Sequence, residues 1–256
     1  MTRPKGMPAM KRIIIFLLLA LLVGGGAAVS MLPMSMAAEF AAKRAPAFKY
    51  AEATGSVWDG KLTKVVYGTQ KIGDLSVKAD LLQAFTGKAA ANVSFARDKL
   101  IGSAGIAWPI GGKEVALSNV KVSGPIGMAP GVPQVVAVGG GTFTLELKDL
   151  KFAGEVCTSA KGEVWTDALA KVDYKGWIGP ELRGPVTCTN GKVQVEATGN
   201  APAGEDVTAV MTITPRLDME VTASVTNAQG PAVAAFTDMG FKAEGNALVI
   251  RQAIGS

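Results

Sequence analysis

Beyond its first fifty positions the chain alternates apolar and polar residues with a period of two. "DLSVKADLL" sets Leu75, Val77, Ala79 and Leu81 on one face. The same spacing recurs at Val93 and Phe95, in "KEVALSNVKVSG", and at Phe143, Leu145 and Leu147. It returns in "GKVQVEATG" and at Leu217, Met219, Val221, Ala223 and Val225. Successive side chains of a strand point to opposite faces, so these runs predict half-buried strands. Gly, Pro, Asn and Asp cluster between them and predict tight turns. The expected domain is therefore mainly β, a curved and largely antiparallel sheet with one side covered.

Three later segments break the alternation. "GPAVAAFTDMG" predicts one short helix near the C-terminus, with Pro231 early and Gly240 as its stop. "FKAEGNALVIRQ" predicts a closing hairpin that turns at Glu244-Gly245-Asn246. Residues 123–141, "SGPIGMAPGVPQVVAVGGG", are rich in Pro and Gly and read as a join between two half-units, about 50–125 and 140–256.

The N-terminus has a different pattern. Arg3, Lys5, Lys11 and Arg12 precede an uncharged run, "IIIFLLLALLVGGGAAVSML", from Ile13 to Leu32. At ~1.5 Å per residue this run spans roughly the 30 Å of a hydrocarbon core. Leading cations before the span predict an N-in, C-out topology. The expected layout is a basic cytoplasmic stretch at 1–12, a transmembrane helix at 13–32, a connector at 33–49 and a periplasmic β domain at 50–256. A cleaved signal peptide is the competing reading, because Ser35-Met36-Ala37 forms a small-x-small site. The length of the uncharged run favours the anchor.

Charge and composition then remove whole classes of function. The chain has 26 basic and 21 acidic residues, and 26 less the four leading cations leaves 22 against 21. The basic balance therefore reports topology, and no nucleic-acid partner is expected. Histidine is absent, which removes Ser-His and Cys-His catalysis and most zinc sites. Ser56 and Ser118 have no imidazole to activate them. No enzyme activity, cofactor or metal site is expected. Cys157 and Cys188 are the only cysteines, and outside the cytoplasm a disulfide between them is the default.

One internal recurrence stands out. "GSVWDGKLTKV" at 55–65 and "GEVWTDALAKV" at 162–172 share six identities in register. Gly55 with Trp58, and Gly162 with Trp165, are the repeat anchors of a sheet made of two similar halves. The indoles read as packing anchors beside glycines that permit a bend or a close backbone approach. The sharper alternative is that they line a groove.

Together, "GSVWDGKL", "GEVWTDAL" and the tail "PAVAAFTDMGFKAEGNALVIRQAIG" resemble the type II secretion system protein N family. The resemblance implies a non-enzymatic, bitopic inner-membrane component of the machine that exports folded periplasmic proteins, with other secretion subunits as partners. The Gly-x-Val-Trp unit followed by alternating strands is also similar to AsmA-like periplasmic proteins. That second similarity implies a lipid or other apolar ligand as the alternative partner.

Overall fold

The computed structural model describes residues 32–254, apart from 69, 81–82, 84–85, 130–131, 175 and 215–217. The expected cytoplasmic stretch, nearly all of the expected transmembrane run, and positions 81 and 217 lie outside the described residues. Among the described residues no helix is long and apolar enough to cross a membrane.

The alternating runs at 74–82, 91–100, 113–124, 141–154, 191–199 and 216–227 coincide with strands, and further strands lie between and beyond them. In the N-terminal part the strands are β1 (Phe48–Lys49), β2 (Glu52–Gly55), β3 (Asp59–Tyr67), β4 (Gln70–Ala79), β5 (Lys88–Arg97), β6 (Leu100–Pro109) and β7 (Glu114–Pro125). The chain continues through β8 (Thr142–Ala153), β9 (Val156–Thr166), the small hairpin of β10 (Asp173–Tyr174) and β11 (Trp177–Ile178), and β12 (Leu182–Thr189). It ends with β13 (Lys192–Asn200), β14 (Asp206–Ile213), β15 (Met219–Thr226), β16 (Lys242–Glu244) and β17 (Ala247–Ile254). Among the described residues, all but β10 and β11 join one fifteen-stranded antiparallel sheet, with each long strand beside its sequence neighbour. Two departures from that simple meander are the excursion between β9 and β12 and the placement of β16 outside β17. Tight turns make the meander possible. Between β12 and β13, Asn190 and Gly191 both hold positive φ, the geometry of a two-residue hairpin turn.

One row of cross-strand partners crosses the sheet on a single face. It passes from Leu62 to Leu75, Phe95, Gly102, Val122, Leu145, Val164 and Gly184. On the far side of Gly184 the row continues as Ala197, Ala209, Ala223 and Ile250. Every member is apolar or glycine, so the sheet has one hydrophobic face that must be kept from water. The opposite face carries ion pairs, including Lys61 with Asp74 at 3.4 Å and Lys121 with Glu146 at 3.2 Å.

Three helices cover parts of the apolar face. α1 (Met34–Arg44) occupies much of what the sequence predicts as a connector. Its alanine-rich sequence favours helix, and Met34 and Ala38 pack on Leu62 and Val65 of β3. Gly60 makes room, since a Cβ there would meet Met34 Cγ and Sδ at 2.7 Å. α2 (Gln134–Gly139) lies within the Pro/Gly-rich join, so that segment is structured rather than a plain linker. The join also leaves the sheet unbroken, because β7 and β8 on either side of it pair along their length. α3 (Pro231–Asp238) is the helix expected near the C-terminus, opened by Pro231 and ended near Gly240 at φ +93°.

The largest core lies under α3. Phe236 is 1% exposed and meets Trp177 of β11 and Phe241 edge-on, at ring-centroid distances of 4.8 and 4.9 Å. A second cluster joins Leu147, Leu150, Val186 and Val193 around Cys157. On β5 and β6, by contrast, no side chain is fully buried, although Val93, Phe95 and Ile106 face the apolar side. Phe236→Ala should therefore destabilise the domain by about 3–5 kcal/mol in urea unfolding. Val93→Ala on the uncovered strip should cost roughly 1 kcal/mol or less. Equal losses would contradict this distribution of the core.

Candidate functional site

Over the C-terminal part of the sheet lies a groove of about 390 Å³. That is within the roughly 300–1,000 Å³ usual for small-molecule sites. Its floor is the row Ala197, Ala209 and Ala223, direct neighbours on β13, β14 and β15. Taller side chains stand on each side of that row. Val195, Met211 and Val221 form one bank, and Val207 with Val225 forms the other. An alanine ends at Cβ, so three in line leave a trough between the banks. Val136 of α2, Leu169 of the turn after β9, and Phe236 of α3 reach over it.

The chemistry of the groove is uniform. No lining residue is ionisable, and only Thr166 and Gln252 bring polar side-chain atoms. Water inside would find few hydrogen-bond partners. A dry void costs about 24 cal/mol per Å³, so one this large would approach 9 kcal/mol if fully enclosed and empty. That upper bound is comparable with the whole stability of a typical domain. Two buried polar atoms without a hydrogen-bond partner, Trp177 Nε1 and Glu205 Oε2, belong to residues that do not line the groove.

The second notable feature is an edge. β16 pairs only with Ala247, Leu248 and Val249 of β17, and among the described residues no strand pairs with the outer side of Ile250–Ile254. Arg251 binds Glu244 through both guanidinium nitrogens, at 2.6 and 2.9 Å. These hydrogen bonds hold the Glu244 carboxyl below its ordinary pKa and raise that of Arg251. The pair fastens β16 to β17 beside the open stretch. At the other end of the sheet, β1 and β2 are two and four residues long, and such short strands blunt an edge.

Other charge effects also belong to the solvent-facing surface. The Lys64 backbone N–H donates to Asp74 at 3.2 Å and, with the Lys61 ammonium, holds that carboxyl below its usual range. Asp149 is lowered first by the Ser159 hydroxyl at 2.7 Å and then by Lys151.

The two Gly-Trp segments occupy different backbone settings. Gly55 ends β2 at φ +80°, and a Cβ there would strike the Asp59 carbonyl. Trp58 follows in the bend before β3, where its N–H donates to Ser56 Oγ at 3.3 Å. Ser56 Oγ also accepts the Asp59 N–H, so this hydroxyl ties a turn. Gly162 instead stays extended within β9, between Leu147 and Val186, where a Cβ would overlap the Glu146 carbonyl. Trp165 stands opposite Thr144 and Arg183 and donates from Nε1 to Glu181 at 3.0 Å. The shared residues thus serve a tight turn in one copy and close strand approach in the other. Neither indole lines the groove, and the two are not brought together. Trp165 is adjacent in β9 to groove-lining Val164 and therefore points to the opposite face.

Cys157 and Cys188 are joined, with Cα atoms 5.7 Å apart. The bond ties β9 to β12 and closes the excursion that contributes Leu169 and Trp177 to the roof side. The alanine floor escaped sequence reading. Each alanine is unremarkable in its own strand, and only the register aligns the three.

The described part of the molecule is thus an open antiparallel β-sheet protein with a partly roofed apolar groove and a free terminal edge. The chain belongs to the type II secretion system protein N family, whose model matches residues 46–239. No curated protein and no solved structure matches it. The matched range runs from just before β1 to the end of α3, and so includes the groove floor but not the β16–β17 hairpin. For the disulfide, whose cysteines are 31 positions apart, chain entropy gives roughly 3–4 kcal/mol. Reduction, or Cys157→Ala with Cys188→Ala, should lower the urea midpoint by that equivalent. An unchanged midpoint would mean that the bond does not brace the roof.

Proposed function

We propose that this type II secretion component is a non-enzymatic, single-pass inner-membrane protein. Its N-terminus is cytoplasmic and its sheet domain periplasmic, and it helps to assemble or stabilise the machinery that exports folded periplasmic proteins. The family match supports the machinery. The cationic start followed by twenty uncharged residues supports the anchor and its direction. A paired Cys157 and Cys188 suits an oxidising compartment.

The observation that carries the assembly role is the unpaired stretch of β17. Its backbone donors and acceptors would accept a strand from another secretion subunit, giving affinity through main-chain hydrogen bonds. Two observations favour a passive role over catalysis. The chain has no histidine. The Ser56 hydroxyl is engaged by two backbone N–H groups.

Deleting the gene should lower the exported enzymes recovered from the medium severalfold, and the full chain supplied in trans should restore them. Ser56→Ala and Ser118→Ala should restore export as well as the unaltered chain does. Undiminished export on deletion would refute the assembly role, and failure of either serine variant at normal protein level would refute the passive one.

A further inference from the structure

We propose that the groove over β13, β14 and β15 binds an acyl chain of a membrane phospholipid, with the headgroup left outside. The inference goes beyond the assembly role and rests on the membrane anchor proposed above, not on any contact with another secretion subunit.

The occupant follows by elimination. A trough of about 390 Å³ without an ionisable side chain excludes a charged ligand and gives water few partners. An extended peptide is also a poor fit. Each floor strand is already paired on both sides, β13 by β12 and β14, β14 by β13 and β15, and β15 by β14 and β17. A peptide laid over them would find no backbone partner and would bury unsatisfied amides. A hydrocarbon chain needs no such partner.

The shape agrees with that chemistry. Ala197, Ala209 and Ala223 set a narrow floor across three adjacent strands, and Met211 on the bank is an unbranched, adaptable side chain. Phe236 and Val136 close over the trough from α3 and α2. The apolar face also continues away from the groove toward β5 and β6, where no side chain is fully buried. A bilayer beside the N-terminal apolar run would supply phospholipid as the source.

The test uses the full chain in its own membrane. A photo-reactive benzoyl-phenylalanine replaces Met211 in the groove or, as a control, Thr212 on the opposite face of the same strand. Cells are grown with radioactive phosphate or acetate. Irradiation should attach both labels to the Met211 variant and leave the Thr212 variant unlabelled. Ala223→Trp should plug the trough and abolish the Met211 adduct. Protease resistance and an intact Cys157–Cys188 bond report that each variant is folded, and Ala223→Leu replaces the tryptophan plug if that variant does not accumulate.

Equal labelling at Met211 and Thr212 would mean mere nearness to the bilayer and overturn the proposal. No label at Met211, or a protein-sized adduct in its place, would overturn it as well. Acetate label without phosphate would identify a free fatty acid and overturn the phospholipid source. Because the readout is a lipid adduct, its failure is distinguishable from any failure in export.

Discussion

Among the described residues, a sheet of fifteen strands that does not close on itself carries one hydrophobic face across its strands, and the described helices cover only parts of it. Among the described residues its helices have 11, 6 and 8 residues. Cover is therefore concentrated in places. α1 protects the β3 end, while α2, α3 and the excursion after β9 protect the C-terminal part. Between them, β5 and β6 carry no fully buried side chain, and Val93, Phe95 and Ile106 are half-buried.

How the roof is held determines what lies beneath it. Trp177 arrives from the β10–β11 excursion and meets Phe236 from α3, so two segments distant in sequence lock against each other. The disulfide ties down both strands from which that excursion leaves and returns. The roof is thus held from both sides as well as from the floor on which it packs. The floor consists of alanines, and the space between is available to a ligand. The two proposals, a protein partner at the β17 edge and a lipid chain in the groove, therefore use different atoms of the molecule.

Much of this architecture was legible in the sequence. The period-two runs located β4, β5, β7, β8, β13 and β15 because alternation reflects a local geometric fact. Pro231 with Gly240 marked α3, and Glu244-Gly245-Asn246 marked the last turn, because caps and turns depend on a few adjacent residues. Two helices were missed. α1 is short and owes its place to packing on β3, and α2 sits among prolines and glycines that suggest a linker. The Gly-Trp recurrence was visible, yet it folds as a turn once and as strand interior once. Gly55 answers to its own left-handed φ, whereas Gly162 answers to the backbone of β8.

By itself, then, the sequence determined the strand-rich class, the antiparallel order, the lack of histidine chemistry and the pair of cysteines able to cross-link. Each of these resides in composition or in contacts between near neighbours. Folding in three dimensions was needed to set Ala197, Ala209 and Ala223 in one row, to bring Trp177 to Phe236, and to leave part of the β17 edge without a partner strand among the described residues. Those outcomes depend on register and on which strand lies beside which, and a one-residue slip would turn the alanine floor to the other face.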